Sequence, residues 1–246
     1  RDSAARNLIN CINFQSMVAS KAARMCLAAE GKPVICFGAR RAHGPQAAVL
    51  AARAAFIGGC QGTSNLLAGY EMGIPVYGTM GHSFIQFFGD ENKAFQQFHN
   101  TFGRHSTILV DTYDTLAGVK KALALPADIT AIRLDSGNLQ ALAVESRKLL
   151  DESGRTNVRI LASGDLNEEK ICALEKDKAP IDCYCVGTEL IVSADAPTCN
   201  LVYKLVEIDQ QGMIRPRIKT SEKKATMPYR KNVFRQITGG HFSRDL

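Results

Sequence analysis

The sequence lacks the cysteine patterns that mark metal-binding and disulfide-rich domains. Its eight cysteines include no C-x-x-C pair, and no group of cysteine and histidine has zinc-finger spacing. Cys36 and Cys183 lie in apolar, strand-like runs, where a reduced cysteine behaves as a small hydrophobic side chain. This usage predicts a reducing, cytoplasmic environment and gives no support to a cysteine nucleophile.

Long apolar runs are absent as well. No run approaches the ~18 residues needed to cross a bilayer, and the longest, such as residues 139–144, are interrupted by polar side chains. No signal peptide is visible in the sequence. We therefore expect no membrane association.

Positive charge is too weakly concentrated in the sequence to indicate binding to a macromolecular polyanion. The net charge is +6, and the basic residues are scattered apart from a cluster between residues 219 and 231. A solvated loop explains such a cluster, so we expect no nucleic-acid partner. The charge is compatible with a small polyanionic ligand.

The composition that is present fits a globular protein with a sizeable core. The 246 residues are 46% hydrophobic and 22% charged. The length suits one large α/β domain, or one domain with pieces of another. The chain opens at Arg1 in a helical apolar pattern, which predicts the interior of a longer protein.

From residue 34 onward, short apolar strands alternate with amphipathic helices at the spacing that parallel sheets use. The predicted strands are residues 34–37, 75–78, 108–110, 131–134, 158–161 and 183–186. The predicted helices are residues 45–57, 64–72, 91–102, 115–125, 139–152 and 167–176. After residue 200 the alternation ends in a predicted strand, 201–208, a turn and basic irregular sequence.

The residues that follow the strands decide between two architectures. An open doubly wound sheet concentrates its site at one switch point, whereas a closed (β/α) barrel spreads its site over all strand ends. Each of the six predicted strands is followed by glycine, a small hydroxyl or a charged side chain. A helix N-cap explains any one of these residues, but six in succession favour an α/β barrel with an irregular or incomplete ring.

Two loops with acidic residues and glycine, Asp135–Gly137 and Ser163–Asp165, follow the fourth and fifth strands. A carboxylate can accept two hydroxyl hydrogens of a sugar diol, and glycine lets backbone approach a ligand closely. Gly187 and Thr188, after the sixth strand, can offer amide hydrogens to a phosphate. Each motif alone is explained equally well by a satisfied turn, but the set indicates a phosphorylated sugar. Arginine forks suited to phosphate or carboxylate are supplied by Arg40, Arg41 and Arg133.

His82 lies just beyond the second predicted strand, in the segment Gly78–Ser83. A lone histidine is more often structural than catalytic, and position alone leaves both roles open. The remaining histidines have no comparable setting, apart from His43 near the first pair of arginines.

Six segments, in order, resemble the nicotinate phosphoribosyltransferase family. They are Phe37–Pro45 (FGARRAHGP), Gly58–Gly69 (GGCQGTSNLLAG), Gly73–Ser83 (GIPVYGTMGHS), Leu109–Thr115 (LVDTYDT), Ile132–Gly137 (IRLDSG) and Val186–Thr188 (VGT). The resemblance runs from about residue 8 to beyond residue 204, and matches this long and ordered are highly specific.

The resemblance implies the type II phosphoribosyltransferase fold, in which an irregular α/β barrel packs on a second α/β domain. That second domain is built from N- and C-terminal segments. On this basis residues 1–32 are assigned to an incomplete second domain, residues 33–199 to the barrel with the active site, and residues 200–246 to a return to the second domain. The family also implies a homodimer in which each subunit closes the barrel mouth of its partner.

The resemblance further implies transfer of a phosphoribosyl group from phosphoribosyl pyrophosphate to nicotinate in NAD biosynthesis, with Mg²⁺ present. ATP, as co-substrate, is hydrolysed through a phosphohistidine, which His82 matches. Arg133 is expected to meet the polar substituent of the pyridine ring, Asp135 and Asp165 the ribose, and Asp111 the magnesium and pyrophosphate region. The catalytic set is thus His82, Arg133 and Asp135. Substrate binding is assigned to Arg40, Arg41, Ser136, Gly137, Gly164, Asp165, Gly187, Thr188 and Lys204.

Two positions depart from the family pattern: Asn138 stands where aspartate is frequent, and Gly81 where alanine is common. The alternatives that stay open are the nicotinamide-specific relative, a quinolinate phosphoribosyltransferase that releases carbon dioxide, and a non-catalytic domain that binds a sugar phosphate.

Overall fold

A computed structural model describes residues 2–126, 128–222 and 224–245 of the chain. The chain divides into two compact units, Asn10–Cys199 and the described residues of Arg1–Ile9 with Asn200–Leu246. The assignment of residues 1–32 and 200–246 to a second domain stays a prediction. Within the ranges described, no helix is both long and apolar enough to span a bilayer.

The larger unit alternates strands and helices along the chain. Its strands are β1 (Val34–Cys36), β2 (Gly62–Thr63), β3 (Thr107–Leu109), β4 (Ala131–Leu134), β5 (Arg159–Ala162) and β6 (Cys183–Val186). Its helices are α1 (Asp2–Ala28, which begins in the smaller unit), α2 (Pro45–Ile57), α3 (Leu66–Met72), α4 (His82–Phe88), α5 (Glu91–Phe102), α6 (Thr115–Ala122), α7 (Leu139–Glu152), α8 (Glu168–Lys176) and α9 (Thr188–Ile191).

The six strands form one parallel sheet in the order β2-β1-β6-β5-β4-β3. The sheet curls into a half-barrel, which confirms the predicted irregular α/β barrel of the type II kind. A short segment links its two ends. Val76 pairs with Thr63 of β2, and the hydroxyl of Thr79 donates a 2.8 Å hydrogen bond to the carbonyl oxygen of Thr107 at the start of β3.

That linking segment is a correction to the predicted strand at residues 75–78, since only Val76 makes a bridge. The strand of this region is instead β2, at Gly62–Thr63, which reads in the sequence as a glycine-rich junction. A Cβ on Gly62 would lie 2.4 Å from the carbonyl oxygen of Pro75. Glycine is therefore required by the close approach of the two backbones, and it hides the strand from hydrophobic pattern analysis.

The remaining strands and helices follow the prediction closely in the larger unit and poorly in the smaller one. The predicted bounds of β4 and β6 are confirmed residue for residue, as are those of α2, α5 and α7. In the smaller unit the predicted strand 201–208 is wrong, because β7 (Glu207–Gln210) begins only at its end and pairs with β8 (Met213–Pro216). A second hairpin, β9 (Arg235–Thr238) and β10 (His241–Asp245), lies in sequence that predicts no regular structure.

The core explains why the strands read as short, continuous apolar runs. Residues of β3, β4 and β6 are buried on both faces, as expected for a parallel sheet covered by helices. On the inner face of the curl, Ile35, Cys183 and Cys185 pack against Phe37 and Leu161. All eight cysteines are free thiols.

A buried lysine attaches α1 to the strand-end side of the larger unit. Lys21 is only 2% exposed, and its Nζ lies 2.6 Å from Glu168 and 2.9 Å from Asp195. Arg24 pairs with the same two carboxylates at 3.0 and 2.7 Å. Burial lowers the pKa of Lys21, but the hydrogen bonds and charges of Asp195 and Glu168 raise it further, so its pKa lies above 10.5. The lysine therefore contributes stability that is lost only when pH rises through that raised pKa.

Lys21→Met keeps the length of the buried stem and removes its charge. We expect a loss of about 3 kcal/mol in the free energy of unfolding, because two carboxylates lose a buried partner. Lys148→Met is the matched control, since Lys148 is 74% exposed and pairs with Glu152 at 3.9 Å, and it should change stability by less than about 0.5 kcal/mol. Urea unfolding measures both, and equal midpoints for the two variants would contradict the role of Lys21.

Candidate active site

A cavity of about 600 Å³ opens at the carboxyl ends of the strands. The turns that follow β1, β4, β5 and β6 all reach it, as does the segment from Val76 to His82. Nine of the residues predicted for the site line it, namely Arg40, Arg41, His82, Arg133, Asp135, Gly164, Asp165, Gly187 and Thr188.

The other predicted residues lie elsewhere. Ser136 and Gly137 are exposed and do not line the cavity, and Asp111 is buried and does not line it either. Lys204 is exposed in the smaller unit. Their assigned roles in substrate or metal binding stay predictions.

Asp135 is the most heavily bonded polar group of the cavity. Its Oδ1 accepts hydrogen bonds from Arg133 Nη2 at 2.7 Å and from Ser163 Oγ at 2.5 Å. Burial raises the pKa of Asp135, but the charge of Arg133 and the hydrogen bonds from Ser163, Arg133 and His82 outweigh it, so the pKa lies below 3.8. Asp135 is therefore ionised at neutral pH, and its contribution to stability is lost only as pH falls through that lowered pKa.

Arg133 is held by two partners and keeps part of its fork free. Its Nε donates to Ser163 Oγ at 2.8 Å and its Nη2 to Asp135. Among the described residues its Nη1 has no hydrogen-bond partner. The guanidinium carbon lies 5.7 Å from the centroid of the Phe37 ring. A flat anionic ring could lie against Phe37 and receive the free guanidinium hydrogens.

His82 is the first residue of α4, where Gly81 is the N-cap. Its side chain is 39% exposed. Nδ1 lies 3.1 Å from Thr112 Oγ1, and Nε2 lies 3.4 Å from Asp135 Oδ2. The ring is thus oriented on both sides and still accessible from the cavity.

The rest of the cavity presents backbone and unpaired cations. Gly164 has φ +93°, and Asp165 has φ +47°, so the turn after β5 is left-handed at both residues. Arg40 and Arg41 lie on a 3₁₀ turn after β1, are exposed and make no ion pair with any residue the structure describes. Free arginine forks beside exposed backbone suit a phosphorylated ligand.

Sequence analysis alone did not assign Phe37, Ser163 or Thr112 to the site. Phe37 stands at the start of a recognised motif, but an aromatic residue after a strand is usually core. Ser163 and Thr112 were visible only as small hydroxyls in turns, which N-caps explain equally well. Their roles depend on contacts between different strand ends, which no sequence spacing reports.

The chain is similar to known proteins in sequence and in fold. Residues 18–196 match the family model described as quinolinate phosphoribosyl transferase, C-terminal domain. The chain is 46% identical over 244 residues to a nicotinate phosphoribosyltransferase of Mycobacterium tuberculosis, covering 97% of this chain and 52% of that protein. It is 42% identical to the Bacillus subtilis nicotinate phosphoribosyltransferase, covering 94% of this chain and 49% of that protein.

Among solved structures, the nicotinate-nucleotide pyrophosphorylase of Pyrococcus furiosus superimposes with a TM-score of 0.77 at 34% identity. The match covers 95% of this chain and 58% of that one. This chain belongs to the type II phosphoribosyltransferase family. It spans about half the length of the curated relatives it matches.

In this type II phosphoribosyltransferase chain, Asp111 holds the turn after β4. Its Oδ2 accepts hydrogen bonds from the Asp135 amide at 2.9 Å and from the Ser136 hydroxyl at 2.6 Å, while its Oδ1 is buried and has no partner. No cluster of three or more metal-ligating side chains occurs in the residues described, so a cation held by protein alone does not fit. A magnesium ion carried by a substrate does fit, because Mg²⁺ needs only one or two carboxylates besides phosphates and water.

Gly164→Ala tests the close approach of two strand ends in the larger unit. A Cβ at Gly164 would lie 2.0 Å from the carbonyl oxygen of Asp135. Gly154→Ala is the matched control, because Gly154 also has positive φ (+72°) but has open space around it. Both variants bear backbone strain of about 1–2 kcal/mol, and we expect Gly164→Ala to lose about 2 kcal/mol more in unfolding free energy. Equal losses of unfolding free energy for the two variants in urea titrations would show that the turns after β4 and β5 can move apart without cost.

Proposed function

We propose that the protein containing this chain is a nicotinate phosphoribosyltransferase that forms nicotinate mononucleotide and pyrophosphate in NAD biosynthesis. The observation that carries the proposal is the strand-end cavity in which Arg133, Asp135 and His82 converge. Support comes from 46% identity to a relative with that name.

The reaction is a displacement at the anomeric carbon through an oxocarbenium-like state. Catalysis then consists largely of placing the ring nitrogen and stabilising the departing pyrophosphate. In this cavity Arg133 would bind the nicotinate carboxylate with the guanidinium hydrogens that Asp135 and Ser163 leave free, and Phe37 would lie against the ring.

Other residues that line the cavity would recognise the sugar phosphate. The carboxylate of Asp165 has no partner among the described residues and would accept ribose hydroxyls. The exposed Arg40 and Arg41 would bind phosphate oxygens, and the backbone of Gly164, Gly187 and Thr188 would lie near the 5-phosphate. The family resemblance also assigns Lys204 to phosphate binding.

Magnesium would enter with pyrophosphate and neutralise its charge. Asp111 is the carboxylate suited to it, because one oxygen is already fixed by Asp135 and Ser136 while the other is unpartnered. Asp135 is less suited to hold the magnesium ion, because its oxygens already accept hydrogen bonds from Arg133, Ser163 and His82.

Coupling to ATP hydrolysis would proceed through phosphorylation of His82. Its ring is oriented by Thr112 and Asp135 and remains partly exposed to the cavity, as a nucleophilic histidine requires. A homodimer, with the second domain of one subunit closing the cavity of the other, completes the proposal.

The direct test is product formation by the full protein with phosphoribosyl pyrophosphate and each of three bases. Nicotinate is expected to give nicotinate mononucleotide. Turnover of nicotinamide alone, or carbon dioxide release from quinolinate, would assign the protein to the corresponding relative. Binding without turnover of any base would leave a sugar-phosphate-binding protein.

Arg133→Lys should weaken the binding of nicotinate more than the binding of phosphoribosyl pyrophosphate. Lysine keeps the charge but loses the fork that contacts Asp135, Ser163 and the proposed carboxylate together. We expect the KM for nicotinate to rise about ten-fold or more. Arg53→Lys, on the exposed side of α2, is the control. Equal losses for both substrates would indicate a phosphate role or a folding defect instead.

His82→Ala should abolish ATP hydrolysis and leave weak, uncoupled transfer, because the proposed phosphoryl acceptor is gone. His241→Ala, at an exposed position of β10, controls for histidine loss as such. Phosphate release from ATP is the measurement, and hydrolysis by His82→Ala at the parent rate would refute the assignment.

A further inference from the structure

The hydroxyl of Thr112 makes one hydrogen bond within the part of the chain that the structure describes, to a ring nitrogen of His82. Thr112 is half-buried and follows β3 by three positions. Its Oγ1 lies 3.1 Å from His82 Nδ1 and makes no other hydrogen bond within the described ranges. The single partner of this hydroxyl is a candidate catalytic histidine. We therefore expect Thr112 to do more than fill space.

The donor and acceptor roles at His82 follow from its other partner. Asp135 is a carboxylate, so both of its oxygens accept and neither donates. Its Oδ2 faces His82 Nε2 at 3.4 Å, and this contact is favourable only when Nε2 carries the hydrogen. In the neutral ring the lone pair is then on Nδ1, where the Thr112 hydroxyl donates its hydrogen.

The same short segment also fixes Asp135. Asp111, the neighbour of Thr112, accepts the Asp135 amide hydrogen at 2.9 Å and the Ser136 hydroxyl at 2.6 Å. The chain after β3 therefore holds both members of the His82–Asp135 pair, one through each of two consecutive residues. A shift of this segment would change the contact between them.

We propose that Thr112 is a positioning residue that holds His82 as the Nε2–H tautomer and fixes the plane of its ring against Asp135. Orientation of a histidine through its second nitrogen is a general requirement for a defined tautomer. Thr112 orients the ring without adding charge. Because a hydroxyl can also accept a hydrogen bond, Thr112 can still bond to Nδ1 when the ring is protonated.

The tautomer can be read without any assay of activity. In protein labelled with ¹⁵N-histidine, long-range ¹H–¹⁵N spectra at a pH where the ring is neutral distinguish a protonated from an unprotonated ring nitrogen. The His82 signals are assigned by their absence in His82→Gln. We expect the parent protein and Thr112→Ser to show a protonated Nε2 and an unprotonated Nδ1, and Thr112→Val to show averaged shifts from a mixture of tautomers.

Thr101→Val is the matched control, because the Thr101 hydroxyl bonds only to the backbone of Gln97 on the exposed side of α5. It should leave the His82 signals unchanged. Two results overturn the proposal: a Nδ1–H tautomer in the parent protein, or an unchanged Nε2–H pattern in Thr112→Val. The tautomer of the parent protein is measured without any variant, so the proposal can be refuted even if Thr112→Val does not fold.

A second test measures kcat and KM of the Thr112 variants, and unlike the spectra it rests on the proposed function. Thr112→Val should lower kcat about five- to ten-fold, the cost of one hydrogen bond, with the KM for nicotinate nearly unchanged, and Thr112→Ser should restore kcat. A merely structural role would instead alter both constants and would not be rescued by serine. A changed tautomer with unchanged kcat supports the positioning role and counts against the proposed use of His82 in turnover.

Discussion

The carboxylate of Asp135 is the constraint around which the strand ends are arranged. It accepts hydrogen bonds from Arg133 of β4 and from Ser163 after β5 and contacts His82 of α4, while Asp111, after β3, accepts the hydrogen of its amide. These groups belong to different elements, so the position of one carboxylate depends on the register of three neighbouring strands. A buried charge with this many partners is favourable only when all are present, which makes the turns interdependent.

Parallel strands explain why such a cluster forms at one edge. Every carboxyl end of the sheet points the same way, so turns separated by about thirty residues in sequence become neighbours in space. The interior of the curl remains partly open, and Ile35, Cys183 and Cys185 of its inner face line that open space. A second cavity of about 590 Å³ lies towards the amino ends and shares Phe37 with the first. Arg133 lines the cavity at the carboxyl ends and does not line this second cavity.

The sequence predicts those parts of the fold in which local pattern and tertiary structure agree. β6 is buried at every residue and β4 at every residue except Arg133, so both are predicted as short, largely apolar runs, and helices such as α7 have amphipathic spacing. β2 escaped prediction because the close backbone approach requires Gly62, and α4 because its first turn, around His82, reads as a glycine loop. In the site, residue types at strand ends were predictable. Which hydroxyl bonds to which charge was not, since that depends on distances between strands.

The distribution of charge in the cavity separates two tasks. Arg133 is largely neutralised by Asp135 at 2.7 Å, so it contributes direction more than net attraction. Attraction for an anion comes from Arg40 and Arg41, which have no anionic partner among the described residues. Because they are exposed, their attraction is screened by salt, whereas the bonded set around Asp135 is not. Higher ionic strength should thus weaken the attraction of any polyanion to Arg40 and Arg41 while leaving the orientation of Arg133 intact.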